Sequence, residues 1–313
     1  MKFDIILPMY KPKIRYLSEA IDSVINQTYN NWSLIIIDDG SKDGSIENVY
    51  RNYNERKIKY IKLKKNLGPA GARNYAISKS DGEYLAFIDQ DDRWGRTKLD
   101  RYKSFIISNK DVKLIHSDLD AIDENSNIIS GYYTRENQDR SLIPYQKLDK
   151  NEMAENLFNY YSVRIGTLCI ERKAFINSGG FDSRLFGGED EEFIVRFAMR
   201  YNINYLPKKL TYRRLHNNNS TKLYKVRRIK GRIKSIKKMW HKYNFKNSNI
   251  MYRAYLRKLL ISKNYEDEDK YKYLRELVNL NQFDVRDILI FAMYIPGIKK
   301  LVKNKFFNLY NKF

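Results

Sequence analysis

Short apolar runs alternate with helix-like patterns along the first 120 residues of the chain. The apolar runs predict four β-strands, at Phe3–Leu7, Trp32–Ile37, Ile58–Leu63 and Tyr84–Ile88. Helices are predicted between them at Ile14–Gln27, Ile46–Tyr53 and Pro69–Lys79, the last with a proline in its first turn. Strands that alternate with helices indicate an α/β fold, in which a mostly parallel sheet is flanked by helices on both faces.

Carboxylates follow several of these strands at the point where the strand ends. The pairs are Asp38 and Asp39 after the second strand, Asp89 and Asp91 after the fourth, and Asp118 and Asp120 after a later predicted strand, Val112–Ile115. One acidic strand end is commonly just a turn or a helix cap. Two such ends on neighbouring strands favour a divalent cation, because ligands gather at the carboxyl ends of parallel strands and hard cations prefer oxygen ligands.

After residue 120 the alternation weakens. The polar segment DENSNIISGYYTRENQDR predicts a hairpin and a mobile loop, and a helix at Asn151–Tyr160 and a short strand at Thr167–Glu171 follow it. Two glycine pairs then frame a loop that leads into a helix beginning with four acidic residues, Glu189 to Glu192. The helix dipole alone favours acidic residues in a first turn, and this explanation covers Glu191 and Glu192.

Charge divides the chain near residue 221. Residues 222–313 hold 24 lysines and arginines against 7 aspartates and glutamates, a surplus of 17 out of the net charge of +22. The stretch KLYKVRRIKGRIKSIKKMW predicts a basic amphipathic helix, and the apolar, lysine-containing end of the chain suits a membrane interface. The alternative is a set of helices packed on the preceding domain with a solvated lysine face. Nucleic-acid binding is not favoured, because no recognised binding motif accompanies the charge.

Cysteine content and hydropathy indicate the cellular compartment in which the protein is expected. A single cysteine, Cys169, excludes an internal disulfide and a cysteine-only metal cluster within one chain, and it favours a reducing cytoplasm. The apolar run before Pro8 is too short for a signal peptide, and no window approaches the ~20 apolar residues that span a bilayer. We therefore expect a cytoplasmic protein, with peripheral attachment to the inner face of the cell membrane through the basic region.

Six motifs together resemble the family 2 glycosyltransferases, which have the GT-A fold. In chain order they are LPMYKP, IIIDDGSKDGS, NLGPAGARNYAI, EYLAFIDQDD, GGFDSRLFGGEDEEFIVR and YRRLHNNNS. The resemblance covers roughly residues 3–221. It implies a GT-A catalytic domain at 1–221, with a nucleotide-binding half at 1–120 and an acceptor-binding half at 121–221. The basic helical extension at 222–313 lies outside the resemblance.

The resemblance implies that a sugar is transferred from a nucleoside diphosphate, usually UDP, to a hydroxyl group. The leaving diphosphate carries charge that a bound Mn²⁺ or Mg²⁺ neutralises. Asp91 is implied as a direct metal ligand, and Asp89 contacts the ribose or the metal through water. Asp92 is expected behind these two. His216, in the last motif, is the second candidate ligand.

The nucleoside side of the site also follows from the resemblance. Tyr10 is expected to stack near the uracil beside the backbone of Pro8, and Asp39 to bind the uracil imide or the ribose. Arg73 should lie near the base or the phosphates. Three residues of the last motif, Arg213, Arg214 and Ser220, are candidates for contacts to the diphosphate, since arginine favours bidentate phosphate contacts.

Most members of the family invert the anomeric centre, so one carboxylate must take the proton of the acceptor hydroxyl. The family's acidic pair corresponds to Glu189 and Asp190, and Asp190 is the expected base. A loop that contains Gly187 and Gly188 could close over the sugar. The chemistry alone leaves Glu189, Asp190 and Glu191 open as bases.

The predicted function is therefore transfer of a hexose or N-acetylhexosamine from a UDP-sugar to a glycan or a lipid-diphosphate-linked sugar. High Lys, Asn, Ile and Tyr usage suggests an AT-rich bacterial gene. In bacteria such enzymes build surface polysaccharides such as O-antigen or capsule. The alternatives are a non-catalytic nucleotide-binding protein, which would not need Asp190, and a membrane or nucleic-acid adaptor, which would not need the acidic strand ends.

Overall fold

The structure is a computed structural model of the 313-residue chain, and it describes residues 1–42, 53, 56–129, 148–159, 163–216, 225–245, 248–261, 270–280, 287 and 290. It divides into two compact units, Met1–Asn219 and Ser220–Phe313. The predicted helix Ile46–Tyr53 lies, apart from Tyr53, outside the described residues. The same holds for the predicted mobile loop beyond residue 129 and for most of the chain after residue 280.

Four parallel strands form one half of the sheet of the first unit, in the order β3-β2-β1-β4. They are β1 (Phe3–Met9), β2 (Trp32–Asp38), β3 (Ile58–Lys62) and β4 (Tyr84–Phe87). Branched apolar residues in β1 and β2 are buried on both faces, which only a sheet covered by helices permits. Helices α1 (Ile14–Ile25) and α2 (Gly68–Ser78) connect these strands. The predicted parallel α/β half is confirmed.

The sheet continues beyond β4 with strands of mixed direction, in the order β8-β6-β9-β5. These are β5 (Arg93–Trp94), β6 (Leu114–Ile122), β8 (Leu168–Glu171) and β9 (Asn204–Arg214), while β7 (Ile128–Ile129) pairs with β6 as a hairpin. Strand β9 runs parallel to β6 and antiparallel to β5. This pairing brings the residues after β4 beside the end of β9.

Strand β6 is longer than the sequence predicts, and this corrects the placement of two carboxylates. Asp118 and Asp120 lie inside β6 and not beyond its carboxyl end, because pairing with β9 extends the strand to Ile122. The register shifts between Ser117 and Leu119, as at a β-bulge. Asp118 accepts a hydrogen bond from the hydroxyl of Tyr205 on β9, so it serves strand pairing.

The described residues of the first unit contain four further α-helices: α3 (Lys98–Ser108), α4 (Lys150–Asn159), α5 (Arg172–Asn177) and α6 (Glu189–Ala198). An aromatic cluster fixes α6 against the sheet. The ring of Phe181 lies 4.8 Å from that of Phe193 on α6 and 5.9 Å from that of Phe87 on β4, and such tilted and edge contacts are favourable. The start of α6 is thereby placed on the same structural frame as the end of β4.

The second unit is helical in its described parts, which comprise α7 (Lys225–Tyr243), α8 (Ser248–Leu260) and α9 (Lys270–Val278). The amphipathic helix predicted from the KLYKVRRIKGRIKSIKKMW stretch is confirmed as α7, which buries Ile229, Ile233, Ile236 and Met239. Arg257 of α8 makes a buried bidentate ion pair with Asp287, both distances being 2.7 Å. No helix among the residues described here is long and apolar enough to cross a membrane.

Candidate active site

The order β2-β1-β4 places three of the predicted strand ends side by side. Tyr10 follows β1, Asp39 follows β2, and Asp89 and Gln90 follow β4. The backbone N–H of Tyr10 donates to Oε1 of Gln90 at 2.8 Å, so the first and fourth strand ends are tied together. Pro8, the penultimate residue of β1, is half-buried at the same edge. The structure therefore forms the expected acidic edge at the carboxyl ends of the parallel strands.

Asp39 is buried and binds the start of α2. Its carboxylate accepts the backbone N–H of Leu67 at 2.6 Å, and its own carbonyl oxygen accepts a hydrogen bond from Asn66. Burial raises the pKa of Asp39, while the N–H groups of Leu67 and Gly68 act in the opposite direction. Asp39 thus holds β2 and α2 together at the edge where a nucleoside is predicted to bind.

Arg73 of α2 lies between the strand-end carboxylates and the acidic start of α6. Its guanidinium is almost fully buried, donates to Asp89 at 2.9 Å, and lies 3.6 Å from the carboxylate of Glu189. Burial alone would lower the pKa of Arg73, but the negative charges of Asp89, Glu189 and Asp190 reverse that effect and raise it. Arg73 therefore joins the two acidic motifs electrostatically.

The remaining carboxylates after β4 face the end of β9. Oδ2 of Asp91 lies 2.8 Å from Nε2 of His216, whose side chain is 6% exposed. Asp92 is buried and accepts the backbone N–H of Arg214 at 3.0 Å. Burial raises the pKa of Asp92 well above its usual range, and the charges of Asp91 and Asp89 add to this.

Of the three predicted metal ligands, Asp91 and His216 form a pair. The third, Asp89, contacts Arg73 instead. Within the described part of the chain, no group of three or more His, Cys, Asp and Glu side chains is arranged to hold a metal ion. A carboxylate oxygen and an imidazole nitrogen that face each other are nevertheless donors suited to Mn²⁺. The pair Asp91 and His216 fits a cation that takes its other ligands from substrate and water.

The four acidic residues in the first turn of α6 differ in their exposure. Glu189, Glu191 and Glu192 are buried, and Asp190 is half-buried. The carboxylate of Glu189 turns back to accept the N–H of Gly187 at 2.8 Å, in a loop where both Gly187 and Gly188 adopt positive φ. Asp190 is thus the most accessible carboxylate of this turn, which separates it from the alternatives that the sequence leaves open.

The other buried acids of this turn have structural partners. Glu192 forms an ion pair with Arg196 one turn later at 2.9 Å, and Arg196 also donates to the carbonyl oxygens of Ser178 and Gly180. These contacts fasten the loop that precedes α6 to the helix itself. The helix-dipole explanation offered for Glu192 is therefore only part of its role.

The two arginines at the end of β9 differ in exposure. Arg213 is half-buried, opposite Ala121 of β6, and remains a candidate for the diphosphate. Arg214 is fully buried, and its guanidinium donates to the backbone carbonyl oxygens of Asp91 and Asp123. The expectation that Arg214 contacts the diphosphate is wrong, because a side chain enclosed by protein cannot reach a substrate phosphate. Ser220 lies outside the described residues.

Two residues near the site were missed from the sequence. Gln90 lies between the predicted carboxylates, but only the strand order shows that it binds Tyr10. Lys98 is completely buried beneath this region and donates to the carbonyl oxygen of Gly166 and the hydroxyl of Thr211. Burial lowers the pKa of Lys98 well below its usual range. A lysine at the start of a helix carries no sequence signal of burial.

Comparison with known proteins identifies the fold. The fold is that of S. aureus TarS residues 1–349 solved with UDP-GlcNAc, with a TM-score of 0.65 at 16% identity over 90% of this chain and 80% of that chain. It also resembles the Pyrobaculum calidifontis mannosyltransferase PcManGT, solved with GDP-Man and Mn²⁺, with a TM-score of 0.59 at 13% identity over 96% and 83% of the two chains. The protein therefore has the glycosyltransferase fold of type GT-A.

The sequence matches the model of glycosyl transferase family 2 over residues 4–168, more than half of the chain. This chain belongs to glycosyl transferase family 2. It is 34% identical over 147 residues to Escherichia coli WfgD, named a UDP-Glc:alpha-D-GlcNAc-diphosphoundecaprenol beta-1,3-glucosyltransferase, over 47% of this chain and 54% of WfgD. This chain is also 38% identical over 123 residues to an uncharacterized glycosyltransferase of Rickettsia bellii. That match covers 39% of this chain and 17% of the length of the relative.

Proposed function

We propose that this chain transfers a hexose or N-acetylhexosamine from a UDP-sugar to a hydroxyl group of a glycan or a lipid-diphosphate-linked sugar, with inversion. One observation carries the proposal: Arg73 holds the donor-side carboxylate Asp89 and the base-side residue Glu189 at the same guanidinium. On this proposal the leaving group and the proton acceptor lie next to each other. The UDP-GlcNAc bound by TarS and the UDP-Glc in the name of WfgD support UDP as the nucleotide of the donor.

On this proposal the donor occupies the edge formed by β2, β1 and β4. Tyr10 stacks near the base beside Pro8. Asp39 accepts a hydrogen bond from the base or the ribose, and Asp89 contacts the ribose. Arg213 contributes positive charge toward the diphosphate. The hydrogen bonds that Asp39 accepts from Leu67 and that Gln90 accepts from Tyr10 hold these groups in place before the donor binds, which lowers the ordering cost of binding.

A divalent cation, Mn²⁺ or Mg²⁺, is held by Asp91 and His216 on this proposal, with Asp89 near it. When bound, such an ion neutralises charge on the departing diphosphate. The contribution of the chain is to present one carboxylate and one imidazole together, with Asp92 buried behind them. PcManGT was solved in complex with Mn²⁺, which supports a cation in this fold.

Asp190 is the proposed base, with Glu189 as its supporting neighbour. Inversion requires one carboxylate on the side of the sugar opposite to the leaving group, and that carboxylate receives the acceptor proton. Asp190 is the half-buried acid of its turn, whereas Glu189 is engaged with Gly187 and lies close to Arg73. The glycine loop at 187–188 can then adjust over the sugar.

The acceptor proposal is tested by a screen with the purified protein. We expect one UDP-sugar to extend a lipid-diphosphate-linked N-acetylhexosamine in the presence of Mn²⁺, with the product detected by mass spectrometry. Such an acceptor would place the enzyme in the synthesis of a bacterial surface polysaccharide, O-antigen or capsule. Extension of a soluble glycan by the same donor, with no product on the lipid-linked sugar, would contradict the lipid-linked acceptor.

We also propose that the second unit binds the anionic inner face of the cell membrane, which keeps the enzyme near a lipid-linked acceptor. Exposed cations lie along α7, namely Lys225, Arg227, Lys234 and Lys237. Each cation near an anionic leaflet contributes ~1 kcal/mol, and salt screens exposed charges beyond ~8 Å at physiological ionic strength.

The membrane proposal predicts that the protein sediments with anionic phosphatidylglycerol vesicles at low salt and is largely released at high salt. Reversing two charges, with Lys225→Glu and Lys234→Glu together, should weaken sedimentation several-fold. The same charge change at two exposed lysines of the first unit, Lys79→Glu with Lys110→Glu, is the matched control and should have less effect. Equal sedimentation with neutral and anionic vesicles, or none with either, would exclude this attachment.

A further inference from the structure

Arg214, the last residue of β9, is a fully buried arginine two residues before His216. Burying a guanidinium is costly unless its N–H groups find acceptors and its charge finds a partner. The contacts of Arg214 therefore indicate its structural role. They fall into two groups, one with the loop after β4 and one with α1 and the turn between β6 and β7.

The first group holds the loop after β4 at two successive residues. Nε of Arg214 donates to the backbone carbonyl oxygen of Asp91 at 3.0 Å, and the backbone N–H of Arg214 donates to Oδ1 of Asp92 at 3.0 Å. Main chain and side chain of one arginine thus fix the backbone from which the Asp91 carboxylate projects. That carboxylate is the one that lies 2.8 Å from His216.

The second group fixes the guanidinium itself. Nη1 donates to the carbonyl oxygen of Asp123 at 3.0 Å and to the hydroxyl of Ser126 at 2.9 Å, both in the turn between β6 and β7. Nη2 donates to the carboxylate of Glu19 on α1 at 2.5 Å. These acceptors come from elements far apart in the sequence, so the position of Arg214 is determined from outside the loop that it holds.

An aromatic ring links the same arginine to His216. The guanidinium carbon of Arg214 lies 4.4 Å from the centre of the Tyr16 ring, and the imidazole of His216 lies 5.3 Å from that ring. Tyr16 therefore contacts both a cation and an imidazole. Cation–π attraction of this kind strengthens when the cation is desolvated, as it is here.

We propose that Arg214 is a positioning residue that sets the spacing of Asp91 and His216 for a divalent cation. The inference rests on the proposed function, in which this pair binds the cation. Arg214 touches the backbone of one ligand, and through Tyr16 it supports the ring of the other. A pre-set pair binds an ion more tightly than two side chains that must first be ordered, and residues behind metal ligands typically change metal affinity 10- to 100-fold.

The test is the affinity of the protein for Mn²⁺ in the presence of UDP, read from the electron paramagnetic resonance signal of free Mn²⁺. Arg214→Lys keeps a positive charge but cannot bridge the same acceptors. We expect at least ~10-fold weaker Mn²⁺ binding, while kcat at saturating Mn²⁺ stays within about 2-fold of the unchanged protein. A merely structural arginine would lower thermal stability without moving the Mn²⁺ dissociation constant of the folded protein.

Arg257→Lys is the matched control, because Arg257 is also a buried arginine paired with a carboxylate, in the second unit. It should lower the melting temperature and leave Mn²⁺ affinity unchanged. If Arg214→Lys fails to fold, Glu19→Gln and Ser126→Ala take its place, since the first removes the negative charge and the second removes the hydroxyl acceptor at the far side of the guanidinium. Both are expected to weaken Mn²⁺ binding in the same direction.

Unchanged Mn²⁺ affinity in folded Arg214→Lys would overturn the positioning role, and so would unchanged affinity in both substitute variants. An equal loss of Mn²⁺ affinity in Arg257→Lys would overturn it as well. A different outcome identifies failure of the proposed function: unaltered protein that binds UDP but no Mn²⁺ would remove the metal site and the inference together.

Discussion

Asp91→Ala is expected to abolish sugar transfer and the divalent-dependent part of UDP binding while the protein stays folded. The Asp91 carboxylate is half-buried and faces His216 at 2.8 Å. The hydrogen bond from Arg214 to residue 91 uses the backbone carbonyl oxygen, which alanine keeps. The substitution therefore removes the carboxylate and retains the loop. Activity would be measured as UDP release, and UDP binding by calorimetry with and without Mn²⁺.

The matched control for this experiment is Asp81→Ala, at the other end of the same strand. Asp81 precedes β4, is exposed, and pairs with Lys2, so its loss should leave activity and UDP binding unchanged. Folding of both variants is checked by circular dichroism. Full activity in Asp91→Ala would show that the metal pair proposed here is not used.

Asp190→Asn is expected to lower kcat by at least ~10²-fold, the lower range for loss of a general base, with little change in KM for the UDP-sugar. Asparagine keeps the size of the side chain and removes the proton acceptor. The backbone N–H of Glu191 donates to Asp190 at 3.0 Å, and an amide oxygen can accept that bond, so the start of α6 should persist. Steady-state kinetics with the donor varied at saturating acceptor measure both constants.

Glu189→Gln is the comparison that assigns the base. Glu189 is buried against Gly187 and Arg73, so its loss should disturb the loop and reduce activity less than Asp190→Asn does. An active Asp190→Asn beside an inactive Glu189→Gln would move the base to residue 189. A product that retains the anomeric configuration, seen by nuclear magnetic resonance, would refute the single-base inverting mechanism altogether.

The sequence predicts the parallel half of the fold well, because its strands are apolar on both faces and stand out from the helices between them. Strand β9 is not predictable in the same way. It contains Pro207 and two exposed lysines, Lys208 and Lys209, and it becomes a strand because β6 and β5 pair with it on either side. Pairing partners distant in sequence also explain why β6 runs on through Asp118.

For the candidate site, the sequence identifies the residues that carry chemistry but not those that hold them. Carboxylates after apolar strands are visible as a pattern, and so is the acidic start of α6. The contact of Arg73 with Glu189 and the contact of Arg214 with Glu19 each join elements more than a hundred residues apart. A buried arginine and an exposed one look alike in a sequence.

The most direct test of a metal-assisted UDP-sugar transferase is UDP release from a panel of nucleotide sugars with Mn²⁺, with EDTA, and with EDTA followed by excess Mn²⁺. We expect release from one or more UDP-sugars with Mn²⁺, loss of release in EDTA, and recovery when Mn²⁺ is restored. Full release in EDTA, or release from GDP-sugars with none from any UDP-sugar, would contradict the proposed function.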